Sequence, residues 1–242
     1  MIRRQDLENS ITVLLLAAGS IGFVHTIMGP DHYVPFIVFA KARNWTPGRT
    51  AFITALCGLG HVGSSVVLGT IGIIFGYSLT KIKLIEGVQG NVAAWLLVIF
   101  GFIYFLWGVY AVIKNKPHTH KHFHKDGKVH RHPHVHNDDH KHPHDKESLS
   151  LTPWVLFTIF VLGPCEPMIP LLFYPAAEKS IAGIAAVSIV FGLVTISTMV
   201  VTVLVMLKGI NLINLGKLER YTHAFAGLAV LLSGLGILLL GL

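Results

Sequence analysis

Between Gly22 and Pro35 the chain reads Gly-Phe-Val-His-Thr-Ile-Met-Gly-Pro-Asp-His-Tyr-Val-Pro. This short stretch holds two imidazoles, His25 and His32, a carboxylate beside the second, Asp31, and a Gly29-Pro30 helix breaker. It begins inside an apolar segment. Imidazole and carboxylate are costly in hydrocarbon and mark functional positions there. A broken helix is tolerated at that depth only where the freed backbone is buried in protein or lines a polar cavity. A third imidazole, His61, lies in Gly58-Leu-Gly-His-Val-Gly-Ser-Ser65, where small residues leave room for a cavity. A lone buried histidine is as well explained by a helix–helix hydrogen bond. His25, Asp31, His32 and His61 together point to a cation site. Imidazoles with a carboxylate suit Ni²⁺, Co²⁺ or Zn²⁺ rather than the oxygen-seeking Mg²⁺ and Ca²⁺. An unbroken helix would hold His25 and His32 about 10 Å apart along its axis. That is too far for joint coordination at ~2 Å, so the Gly-Pro break must draw them together.

The break has a counterpart. Gly29-Pro30-Asp31-His32, with Pro35, matches Gly163-Pro164-Cys165-Glu166, with Pro170. The same separation aligns Gly58-Leu59 with Gly192-Leu193, His61 with Thr195, Ser64 with Thr198 and Val66-Val67 with Val200-Val201. One residue less pairs Glu86 with Glu219, Gly101 with Gly234 and Gly108 with Gly241. The second break brings Cys165 and Glu166 into the candidate metal set, from the opposite half. The matching hydroxyls Ser64, Ser65, Thr195, Ser197 and Thr198 read as helix-packing groups. His223, at the start of the last apolar segment, reads as interfacial.

These residues must be positioned by membrane helices. The 242 residues are 52% hydrophobic and 13% charged, against about 25% charged in a soluble domain. Six segments are long enough to span at roughly 20 residues each. They run near Ile11–Met28, Thr50–Tyr77, Val88–Ile113, Thr152–Pro175, Ile181–Leu207 and Tyr221–Leu242. The expected fold is an all-α polytopic membrane protein of six transmembrane helices, a 3+3 inverted repeat with helices one and four broken. Three spans per half invert the second copy, and paired broken helices point to a site near the midplane. The domains are 1–113, the first repeat; 114–150, a loop; and 151–242, the second repeat.

That loop holds eleven of the fifteen histidines: His118, His120, His122, His124, His130, His132, His134, His136, His140, His142 and His144. It has almost no apolar content and is expected to be disordered. Alternating imidazoles in such a chain capture transition metals loosely. The net charge of +7 is no nucleic-acid signal, because the basic residues sit in this loop and beside apolar segments. Lys41, Arg43, Arg49, Lys208, Lys217, Arg220 and the loop lie on one side; Arg3, Arg4, Lys81, Lys83 and Lys179 lie on the other. Positive-inside places the loop in the cytoplasm and both termini outside. The polar N-terminus carries no cleavable signal. Cys57 and Cys165 lie in apolar segments and give no structural disulfide framework.

His25, then Asp31-His32, resembles the first-span signature of the nickel/cobalt transporters, with five intervening residues here instead of four. Leu59-Gly-His-Val-Gly-Ser-Ser-Val-Val67 resembles their second-span motif. Six spans with a His-rich central loop are similar to the NicO efflux and UreH-like membrane proteins. The resemblance implies transport of Ni²⁺ or Co²⁺ across a bacterial, archaeal or organellar membrane by alternating access, here read as a prokaryotic inner membrane. His25, Asp31, His32 and His61 would hold the ion, with no organic cofactor and no enzymatic step. The partners implied are the bilayer, the metal ion and a cytoplasmic metallochaperone or metalloenzyme-maturation protein. Gly163-Pro-Cys-Glu-Pro-Met-Ile-Pro170 resembles instead the Pro-Cys break of the CcdA/DsbD thiol–disulfide carriers. Those use one cysteine per half, whereas Asp31 stands at the matching first-half position here. Cys57 lies in a different span, and the alternative function is CcdA-type thiol–disulfide electron transfer using Cys57 and Cys165. An anion or sulfite exporter of similar architecture would need basic residues at mid-depth, and the spans carry none.

Overall fold

The computed structural model of the chain describes residues 2–114, 118–123, 129–134, 151–212 and 216–240. Among them, eight α-helices run in the order α1 (Ile2–Met28), α2 (Val34–Ala42), α3 (Pro47–Ile74), α4 (Leu79–Lys114), α5 (Leu151–Leu162), α6 (Met168–Ala177), α7 (Ile181–Leu212) and α8 (Thr222–Leu240). Five helices are long and apolar enough to cross a bilayer. The protein is an all-α polytopic membrane protein.

Proline and glycine set the breaks. Gly29 N–H makes the last α1 bond, to His25 O at 3.0 Å. Pro30 has no N–H and cannot continue the ladder. A 3-10 turn over Pro30–His32 follows, and α2 resumes at Val34. In the second half α5 ends at Leu162, and α6 starts only at Met168. Neither α5 nor α6 is long enough to span alone, so the expected fourth span is this broken pair. The boundaries also shift around the first inter-helix turn. Gly76, at φ +64°, ends the α3 segment, and α4 begins at Leu79 rather than Val88, which puts Glu86 inside a helix. The start of α3 is fixed by Pro47 at its first position and by Thr46 Oγ1, which accepts from Arg49 N–H at 3.3 Å; both are standard helix-start chemistry.

The two halves pack crosswise. α1 lies on α7, as α5 lies on α3, and α2 meets α7, as α6 meets α3. The symmetry is incomplete, since α2 packs on α8 while α5 meets α4. The third helices, α4 and α8, form the longest seam. There the sequence-matched glycines Gly101 and Gly234 let the two backbones touch. A Cβ on Gly101 would run into the backbone of Leu231, and one on Gly234 into Val98. Lipid tails are as apolar as Leu, so close packing rather than hydrophobic burial holds such a seam. Gly101→Val is expected to cost about 3 kcal/mol by overpacking, read as a lowered apparent melting temperature of the detergent-solubilised protein.

Two apolar cores flank the centre. One gathers Phe36, Phe39, Cys57, Leu156, Val203 and Val230 from α2, α3, α5, α7 and α8. The other gathers Ala18, Val62, Cys165, Met168, Leu172 and Phe191.

The loop differs from its expected disorder in one respect. The backbones of β1 (His118–Phe123) and β2 (Val129–His134) pair as an antiparallel ribbon, His120 opposite His132. Backbone pairing of extended chain needs no apolar core, so the lack of apolar residues does not forbid it. The rest of 115–150 lies outside the described residues, as do the side chains of all eleven loop histidines, and with them the expected metal capture.

Candidate functional site

His25 is in the last turn of α1, His32 ends the 3-10 turn, and His61 lies midway along α3. The Gly-Pro break turns His32 back toward His25, and their ring centroids are 4.7 Å apart. The His32 ring stands edge-on between the other two, which are parallel to within 5°. One nitrogen from each ring lies within 4.8 Å of the others. Gly29 is required for this, because a Cβ there would collide with the His32 ring.

Hydrogen bonds fix which nitrogens face inward. His61 Nδ1 lies 2.7 Å from Gly163 O. A carbonyl only accepts, so His61 carries its proton on Nδ1 and turns a lone pair inward at Nε2. His32 Nδ1 faces two acceptors, Gly29 O at 3.1 Å and Asp31 Oδ1 at 3.3 Å. Its Nε2 is a lone pair when His32 is neutral and donates to His61 Nε2 when His32 is the imidazolium paired with Asp31. The two Nε2 atoms stand 3.3 Å apart, and His25 Nε2 is buried with no hydrogen-bond partner. A proton shared between the facing nitrogens of His32 and His61 makes this a hydrogen bond, and a cation in its place would be held by both. Two nitrogens 3.3 Å apart, each ~2.05 Å from a shared ion, subtend about 107° at it, close to the tetrahedral angle. Carbonyl and carboxylate partners behind the imidazoles are the usual support of metal-ligating histidines.

The histidines open on a cavity of about 850 Å³ between the halves, whose walls include Asn91 of α4 and Pro164 and Glu166 of the second break. The structure thus brings His25, Asp31, His32 and His61 together. Glu166 is exposed and lines the cavity without joining that cluster. Cys165 is fully buried, with its side chain in the second apolar core. Cys57 lies in the other core, and both thiols are free. Ser65, read from sequence as a packing hydroxyl, bridges the halves: its Oγ accepts from Cys165 N–H at 2.5 Å. Ser64 stays within its own helix, on His61 O at 2.8 Å. His223 pairs with Tyr104, Nδ1 to OH at 2.9 Å, away from the cavity. No sequence signal marks the bridge from Ser65, which the repeat matches with Met199.

Residues 34–238 match the family model of the cytochrome c biogenesis protein transmembrane region. The chain belongs to that family. No curated protein and no solved structure matches it. The match overturns the nickel/cobalt-transporter assignment and the function of nickel or cobalt transport that came with it. It agrees with the Pro-Cys resemblance of the second break. The physical reason for the misassignment is visible in the boundaries. The match begins at Val34, after His25, Asp31 and His32. The most conspicuous chemistry of the sequence therefore lies ahead of the part that carries the family likeness. Within the matched part stand His61, Cys57 and the Gly163-Pro164-Cys165 break.

Proposed function

We propose that the chain carries reducing equivalents across a membrane by thiol–disulfide exchange, with Cys165 as the attacking thiol and Cys57 as the resolving one. Family membership over most of the chain, with Cys165 in the Gly-Pro break at the inter-repeat cavity, carries this reading. The chemistry balances simply. Cys165 thiolate attacks a disulfide of a partner protein, forms a mixed disulfide and expels one partner thiol. Cys57 then attacks the Cys165 sulfur and releases the partner as a dithiol. The Cys57–Cys165 disulfide left behind regains two electrons and two protons from a dithiol protein on the other side. Both thiols are free. Cys57 precedes Ser65, the residue that grips Cys165, by two helical turns of α3, ~12 Å of rise. Resolution therefore needs the second break and α3 to move relative to each other. The distribution of Lys and Arg supports an orientation with the His-rich loop in the cytoplasm and both termini outside. The test is reduction of a disulfide reporter enclosed in vesicles, driven by external dithiol. Wild type should support it and the Cys57→Ser/Cys165→Ser double variant should not; equal rates in the two would sink the reading.

A specific observation favours a second property of the same cavity. The clustering of one nitrogen each from His25, His32 and His61 within 4.8 Å supports a bound divalent transition-metal ion. His25 must close in by roughly 1.5 Å to join at ~2 Å bond lengths. Asp31 would orient His32 rather than bind, since its Oδ1 faces His32 Nδ1.

A further inference from the structure

The second break is fastened to the first repeat at two points, and among the described residues the first break has no equivalent fastening. His61 Nδ1–H donates to Gly163 O at 2.7 Å, and Ser65 Oγ accepts from Cys165 N–H at 2.5 Å. His61 and Ser65 are one turn apart on α3, so they share a face. Ser65 and Cys165 are both 0% exposed. The repeat places Thr195 and Met199 of α7 where α3 has His61 and Ser65. Thr195 Oγ1 is buried without a partner, and Met199 has no polar group to offer. Gly29 O is instead taken by His32 of its own segment. One break is thus held internally, while the other is pinned to the opposite repeat at the residue that carries the thiol.

The pinning decides where the sulfur points. Pro164 and Glu166 line the cavity, but Cys165 between them is turned into the core against Met168 and Leu172. A partner disulfide cannot reach it there. We infer that Ser65, assisted by His61, clamps the Gly163–Cys165 backbone and keeps the Cys165 thiol out of reach until the clamp opens. Ser65 is a positioning residue: it touches the Cys165 backbone and not the sulfur. The purpose of such a clamp rests on the redox reading, while its existence is testable without any electron transfer.

The experiment uses the full chain with Cys57→Ser, so that Cys165 is the one thiol left, and follows its modification by N-ethylmaleimide by mass. Ser65→Ala removes the acceptor and leaves a buried N–H unpaired in the closed state. Modification of Cys165 is expected to speed up roughly 5- to 100-fold. Ser65→Thr keeps the hydroxyl and is expected to stay within about threefold of the parent. Cys57, read in a Cys165→Ser background, reports on α3 itself and is expected to react at the same rate with and without Ser65→Ala. Parental Cys165 rates in Ser65→Ala overturn the clamp. So does equal acceleration of Cys57, which would mean general loosening. Disulfide transfer that survives loss of both cysteines would instead sink the redox reading and leave the clamp result standing.

Discussion

Cys165→Ser is expected to reduce transmembrane disulfide transfer to the background of empty vesicles, whereas Cys57→Ser is expected to arrest it differently. Without Cys165 there is no sulfur in the inter-repeat break to attack the partner, and a serine hydroxyl does not replace a thiolate. Without Cys57 the first exchange still proceeds, but the mixed disulfide has no internal thiol to resolve it. The chain should then accumulate joined to its partner through Cys165, as a heavier species on a non-reducing gel that collapses with dithiothreitol. The two variants thus separate attack from resolution. Equal, partial loss in both, with no trapped species, would contradict the assigned roles. The movement that would bring Cys57 to Cys165 must break the hydrogen bonds of His61 to Gly163 and Ser65 to Cys165. The slow step of turnover is therefore expected to be conformational.

The second large effect concerns the three imidazoles. His61→Ala is expected to lower affinity for Zn²⁺, measured by equilibrium dialysis of the purified protein, by more than the roughly 10–100-fold that loss of a supporting residue costs a metal site. It should also destabilise the protein by about 1–3 kcal/mol, because Gly163 O is left without its donor. His61→Asn separates the two consequences. An asparagine amide can stand where Nδ1 stands and keep the bond to Gly163, but offers no inward lone pair at the place of Nε2. It is expected to restore stability and not affinity. Retention of wild-type Zn²⁺ affinity by both variants would remove His61 from any cation site.

Much of the architecture was legible because it follows from strong, local chemistry. Gly-Pro cannot continue a helix, so both breaks stood out, and their recurrence exposed the repeat. Gly101 and Gly234 were matched by the same repeat and meet at the α4–α8 seam. The grouping of His25, Asp31, His32 and His61 was also legible, since each is costly in an apolar span. What was not legible was direction. Sequence spacing placed Cys165 and Glu166 at the centre with the histidines, but which way a side chain points after a break depends on what the backbone is pinned to. Ser65 pins Cys165 toward the core, and nothing local in Gly-Ser-Ser-Val announces it. Function was misjudged for a related reason. The histidine cluster is the loudest chemistry in the chain, yet two of its three rings precede the region that carries the family likeness.

The central claim, that Cys57 and Cys165 are partners in one redox cycle, is tested most directly by peptide mapping of the oxidised wild-type chain. After treatment in membranes with a permeant disulfide reagent and removal of the excess, the account predicts a peptide containing Cys57 joined to one containing Cys165, released by reduction. Recovery of the two cysteines only as separate adducts of the reagent, with no peptide joining them, would contradict it.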